Sequence, residues 1–125
     1  MLYTEIGGQE VINHLVDDFY EIMRTDPGAK NCLASHAGRD LNDSAHKLKY
    51  FLSGWLGGPP LYLEQYGHPR LRMRHHPFPI SPVEAQEWLY CMKAALSKTN
   101  ISEKNKSEML NAFKQVALMI INRNP

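Results

Sequence analysis

The sequence predicts an all-α domain, and three observations carry that reading. Four segments place apolar residues at three- and four-residue steps, no stretch alternates as a strand would, and the one long interval between helices is dense in glycine and proline. A length of 125 residues suits a single domain spanning 1–125, near the modal domain size. With 43% hydrophobic and 22% charged residues, collagen-like and disordered classes are excluded.

The elements follow in order. After a Gly7-Gly8 turn, a helix is predicted over Gln9–Arg24, where Val11, Ile12, Leu15, Val16, Phe19, Ile22 and Met23 share one face and Asp26-Pro27 stops the run. A shorter helix from Asp43 to Gly54 carries Leu48, Phe51, Leu52 and Trp55 in one stripe, ended by Gly57-Gly58-Pro59-Pro60. Nine glycines and prolines between residues 57 and 82 exclude a long regular element there. Ser81-Pro82-Val83-Glu84 then forms a capping box with proline at the first helical position. Ala85, Trp88, Leu89, Met92, Ala95 and Leu96 continue that helix on one face. The last helix runs from Ser102 or Glu103 to Asn122 over Leu110, Phe113, Val116, Ala117, Ile120 and Ile121. The helices alone suit a four-helix bundle, but the interval over 57–80 is too long for a simple hairpin connection. An irregular interval of that length is usually functional, and this one is expected to wrap around something.

Charge narrows the function classes. Lys and Arg number 14 against 13 Asp and Glu, a net charge of +1, so no global attraction to nucleic acid or an anionic membrane is expected. No apolar run approaches the roughly 20 residues of a membrane span, and no secretory leader is evident; a cytoplasmic protein is the expectation. Cys32 and Cys91 lack C-x-x-C spacing and read as reduced structural thiols. The balance is locally uneven: Gln65–Val83 contains no acidic residue but holds His68, Arg70, Arg72, Arg74, His75 and His76.

Taken together, Gly57-Gly58-Pro59, Tyr62, the run Tyr66-Gly67-His68-Pro69-Arg70-Leu71-Arg72-Met73-Arg74-His75, Pro77-Phe78 and Trp88-Leu89 resemble the group II truncated haemoglobins. The resemblance extends from Ile6-Gly7-Gly8 through Phe19-Tyr20 to about Leu96. It implies a shortened globin fold in which two antiparallel helix pairs, two on two, sandwich haem b. The helix that would carry the proximal ligand is then largely an extended loop.

Residue roles follow from the same resemblance. His75 matches the proximal iron ligand, as in other haem proteins held by one histidine. A zinc site built on His68, His75 and His76 is disfavoured, because structural zinc wants four ligands, usually with cysteine at short spacing. Arg74, Lys47 and Tyr62 match positions that pair with haem propionates, and His68 one that is structural or propionate-facing. Arg70 and Arg72 read as surface residues. Tyr20 and Trp88 match distal positions whose O–H and N–H face an iron-bound ligand; the indole can donate but cannot ligate. At position 36 the family usually has tyrosine or phenylalanine, so His36 is either a third, pH-dependent distal donor or a histidine in the loop before the second helix. Ser44 matches a gating position and is small. Leu48, Phe51, Leu52, Phe78, Ile80 and Met92 match pocket wall, although periodicity alone makes each of them core.

Two or three donors in a dry pocket slow the escape of dioxygen, whose outer atom becomes partly negative on ferrous iron. Slow release suits nitric oxide or reactive-species detoxification better than oxygen transport. The partners implied are O2, NO and CO, together with a reductase, because the sequence contains no flavin or nicotinamide motif; the expected state is a monomer or weak homodimer. An alternative is a haem-based sensor or reservoir in which Tyr20 or His36 occupies the sixth iron position without turnover. A further alternative, a haem-free helical domain binding acidic partners through its arginine-rich interval, predicts a colourless protein.

Overall fold

Helix α1 (Leu2–Ile6) ends on Gly7, whose φ of 113° is left-handed, and the chain re-enters a helix at once as α2 (Gly8–Thr25). The structure is a computed structural model that describes residues 1–70 and 79–122. A single 3-10 turn over Pro27–Ala29 follows α2 and leads into α3 (Lys30–Ser35). Then come α4 (Leu41–Trp55), α5 (Leu61–Tyr66), α6 (Pro82–Ser97) and α7 (Glu103–Ile120). Among the described residues there is no strand. No helix among them is long and apolar enough to cross a membrane.

The four predicted helices are present with small shifts at their ends. Helix α4 starts at Leu41, ahead of Asp43, because the Asp40 carboxylate accepts the Asn42 backbone N–H at 2.9 Å and caps the helix. At the start of α6, the Ser81 N–H donates to Glu84 Oε1 at 2.8 Å, one arm of the expected capping box. The additional helices α1, α3 and α5 have five or six residues each, too few for periodicity to register.

Helix α2 packs on both α4 and α6, and α6 packs on α7. Ile12, Leu15, Val16, Phe19 and Met23 of α2 meet Cys91, Met92, Ala95 and Leu96 of α6 and Met109 and Phe113 of α7 in one core. On α7, Met109 is fully buried whereas Leu110 and Val116 are half-buried, as is Ile121 just past its end, so the buried stripe is rotated slightly from the predicted one. Beside the core, Ser53 donates to the Pro59 carbonyl at 2.7 Å and ties the turn after α4 to the helix. A Cβ on Gly58 would sit 2.4 Å from the Tyr3 ring, so glycine there is what lets α1 dock.

Helix α4 departs from ordinary packing. Every residue from Ser44 to Phe51 is only half-buried, and only Leu52 and Ser53 are buried. The stripe that periodicity assigns to core therefore faces a cavity along much of its length.

Candidate functional site

That cavity, of about 350 Å³, lies among α2, α3, α4, α6 and α7. Its volume is within the range typical of small-molecule and cofactor sites. Helix α4 supplies Ser44, Lys47, Leu48, Phe51 and Leu52, and α6 supplies Ala85 and Trp88. Phe113, Val116, Ala117 and Ile120 of α7 close one side, with Tyr20, His36, Tyr62 and Ile80 completing the wall. Tyr20, Trp88, Phe113, Phe51 and Tyr62 of this wall are linked by ring contacts, through Phe19 and Trp55 behind it. Tyr20 meets Phe19 at 4.9 Å, Phe19 meets Trp88 at 5.0 Å, Trp88 meets Phe113 at 5.6 Å, and Phe113 stacks on Trp55 at 4.9 Å. Phe51 continues the chain to Tyr62 at 6.3 Å.

Neither the Tyr20 hydroxyl nor the Trp88 indole N–H has a hydrogen-bond partner among the described residues. Among the described residues no fully buried side-chain polar atom is left unsatisfied, and both Tyr20 and Trp88 line the cavity. Burial pushes the Tyr20 phenol well above its usual range, with a smaller push from Cys32. Tyr20 therefore remains a protonated donor at any physiological pH.

His36 lines the wall from the turn that leads out of α3 toward α4, and its hydrogen bonding differs from that of the expected donor. Its Nδ1 lies 2.9 Å from the Cys32 carbonyl oxygen, which can only accept. Ser35 Oγ donates to the same carbonyl at 2.6 Å and lies 3.3 Å from Nδ1. Nδ1 therefore carries the proton, and Nε2 of the neutral ring is an acceptor. Only an imidazolium His36 would donate from Nε2. The ring stands edge-on to Tyr20 at 6.2 Å.

The remaining candidates divide. Ser44, Lys47, Leu48, Phe51, Leu52, Tyr62 and Ile80 line the cavity. Lys47 does so while paired to Asp43 at 3.0 Å and placed 5.7 Å from the Tyr66 ring centroid. Met92 does not line it: this residue is fully buried against the α2 and α7 side chains, because its position on α6 faces the helix core. His68 is exposed and is not among the lining residues; its Nδ1 accepts the Arg70 N–H at 3.1 Å. Arg70 is exposed as well. His75, Arg74 and Phe78 lie outside the described residues.

Cavity residues not foreseen include Cys32, Ser35, Arg39 and Glu84. Arg39, Asp40, Asp43 and Lys47 bring both signs of charge to the wall. The first three precede or open α4, where no apolar periodicity marks them. Cys32 is held protonated: burial, then Cys91, Glu87 and Glu84, push its thiol to about 12. A low-pKa nucleophile is therefore absent at that position.

Comparison with known proteins agrees with this geometry. A family model described as bacterial-like globin matches residues 1–122. Group 2 truncated hemoglobin YjbI of Bacillus subtilis is 40% identical over 119 residues, covering 95% of this chain and 87% of that protein. The group II 2-on-2 hemoglobin of Agrobacterium tumefaciens superposes with a TM-score of 0.93 at 40% identity, covering 99% of this chain and 95% of the other. A truncated oxygen-avid haemoglobin from Bacillus subtilis superposes with a TM-score of 0.83 at 40% identity, covering 96% and 98%.

Proposed function

The chain belongs to the bacterial-like globin family, as a group II two-on-two haemoglobin, and from that premise we propose that its cavity holds haem b with His75 as the protein ligand of the iron. The protein then binds dioxygen and other diatomic gases. We place its use in oxygen chemistry or the removal of nitric oxide and reactive species rather than in oxygen transport.

The single observation that supports this most is the pairing of a cavity-lining apolar stripe on α4 with two donors on the same wall that have no partner among the described residues. Leu48 and Phe51 fit the face of a flat apolar ring system. Lys47 and Arg39, both on the wall, fit carboxylate side arms, with Tyr62 as a further donor and Arg74 added by the family resemblance. Bound haem supplies an iron that takes a gas molecule as a ligand. The chain's residues decide what happens to that molecule. Tyr20 O–H and Trp88 N–H donate toward its outer atom, where negative charge collects, and the ring-lined wall keeps water from competing. Two donors, each contributing on the order of 1.5–3 kcal/mol when the acceptor is charged, favour slow release. The oxygen-avid relative named above is consistent with that direction. Turnover draws electrons from an external reductase.

One observation favours a second reading. Because Nδ1 of His36 pairs with the Cys32 carbonyl, the neutral ring keeps its lone pair on Nε2, as an iron ligand must. A haem sensor with His36 as displaceable sixth ligand uses that lone pair and gives a six-coordinate low-spin ferric spectrum.

Haem titration followed by tryptophan fluorescence tests the leading reading. Trp88 lines the cavity and Trp55 stacks on Phe113, so quenching is expected to saturate at one haem per chain. Emission that stays unquenched, in a chain of native helicity, refutes it.

A further inference from the structure

Just past α7 the chain leaves the helix at Ile121, whose φ of −61° and ψ of 126° are extended, and Asn122 then grips residue 80 at two points. The Asn122 backbone N–H donates to the Ile80 carbonyl at 2.8 Å, and the Ile80 N–H donates to Asn122 Oδ1 at 3.0 Å. The two residues exchange bonds as facing residues of an antiparallel strand pair do. The side-chain amide oxygen stands in for one backbone carbonyl.

What this clasp holds is one wall of the cavity. Ile80, Ala85, Ala117 and Ile120 form a small buried cluster separate from the main core, and all four line the cavity. Half-buried Leu89 packs against both clusters and links them. Two alanines and two isoleucines offer little apolar contact to hold the end of α7 against the start of α6, so the clasp carries a large share of that task. Ile80 is buried, and an N–H left without its acceptor there carries a desolvation cost.

From this we infer that Asn122 is a positioning residue for cofactor retention: through Ile80 it holds the wall formed by Ile80, Ala117 and Ile120 closed on a flat apolar cofactor, which escapes when the clasp opens. The inference rests on the proposed haem binding and deepens it, because it assigns retention to a residue that is not itself among the cavity-lining ones. Coupling of this kind is reciprocal. A clasp that slows the loss of haem is in turn held shut by bound haem.

The test follows transfer of haem from the loaded ferric protein to excess apomyoglobin, together with hydrogen exchange at the Ile80 amide. Asn122→Ala removes the acceptor for the Ile80 N–H, whereas Asn122→Asp keeps an oxygen in its place. Asn122→Ala is expected to release haem roughly tenfold faster, the equivalent of about 1.4 kcal/mol, and to lose protection at the Ile80 amide. Asn122→Asp is expected to restore both toward wild type. Ser53→Ala breaks the bond to the Pro59 carbonyl at a residue that does not line the cavity, and is expected to lower the urea midpoint without speeding haem release. In wild type, whatever the variants do, the Ile80 amide is expected to exchange slowly, and more slowly still with haem bound. Wild-type release from a folded Asn122→Ala protein overturns the inference while leaving haem binding intact. So does equal speeding by Asn122→Asp or Ser53→Ala, or a wild-type Ile80 amide that exchanges like a free peptide. A wild-type protein that takes up no haem refutes the gas-binding reading itself, a separate outcome.

Discussion

Replacing Trp88 by phenylalanine isolates one hydrogen bond. The indole ring contacts Phe19 at 5.0 Å and Phe113 at 5.6 Å, and a benzyl side chain retains much of that packing, at a cost on the order of 1–2 kcal/mol of stability for the lost ring. What disappears entirely is an N–H without a partner among the described residues, on the wall of the cavity. A hydrogen bond to a charged acceptor is worth about 1.5–3 kcal/mol. At a factor of ten per 1.4 kcal/mol, dioxygen should leave Trp88→Phe about 10- to 150-fold faster than wild type. The assay is stopped-flow displacement of bound dioxygen by excess carbon monoxide. Trp55→Phe is the control, because Trp55 stacks on Phe113 at 4.9 Å but is not among the cavity-lining residues. A Trp88→Phe rate within about twofold of wild type, or one matched by Trp55→Phe, refutes the donor reasoning.

The buried thiols make stability fall at alkaline pH. Burial moves Cys32 from 9.0 to about 12 and Cys91 from 9.0 to about 11, so their contribution is complete below pH 9 and is lost as pH rises toward 11–12, where the unfolded chain releases protons that the folded chain retains. Urea midpoints at pH 8, 9.5 and 10.5 should fall less steeply in Cys32→Ala than in wild type; parallel slopes count against this. Gly58→Ala should lower stability by about 1–3 kcal/mol, because the new Cβ meets the Tyr3 ring at 2.4 Å. Tyr3→Ala in the same chain should recover part of that loss in a denaturant titration. His75→Gly should abolish the spectrum of a histidine-ligated five-coordinate ferrous haem, and added imidazole should restore it; an unchanged spectrum reassigns the ligand.

Much of the fold was legible because long helices advertise themselves. The stripe from Val11 to Met23 and the Ser81-Pro82-Val83-Glu84 start both mark elements that the structure contains. What escaped is short or is set by tertiary contacts. Helix α3 has six residues, and its first turn is completed by Glu87 from a distant helix, a pairing that no local pattern encodes. Periodicity also could not distinguish Leu48, which faces a cavity, from Met92, which faces other helices, since both are apolar residues at helical spacing. The family resemblance placed Tyr20, Trp88 and His36 near one another. It left unstated that the Cys32 carbonyl turns His36 from a donor into an acceptor, because a tautomer depends on a neighbour's backbone rather than on the residue itself.

One absorption measurement bears most directly on haem binding. The purified protein, supplied with haem and freed of excess, is recorded in its ferric state, then reduced, then exposed to carbon monoxide. A cavity walled by the α4 stripe, with two donors that have no partner among the described residues, predicts a Soret band that survives gel filtration and shifts sharply on reduction and again with carbon monoxide. A colourless protein with native helical content after the same treatment contradicts it.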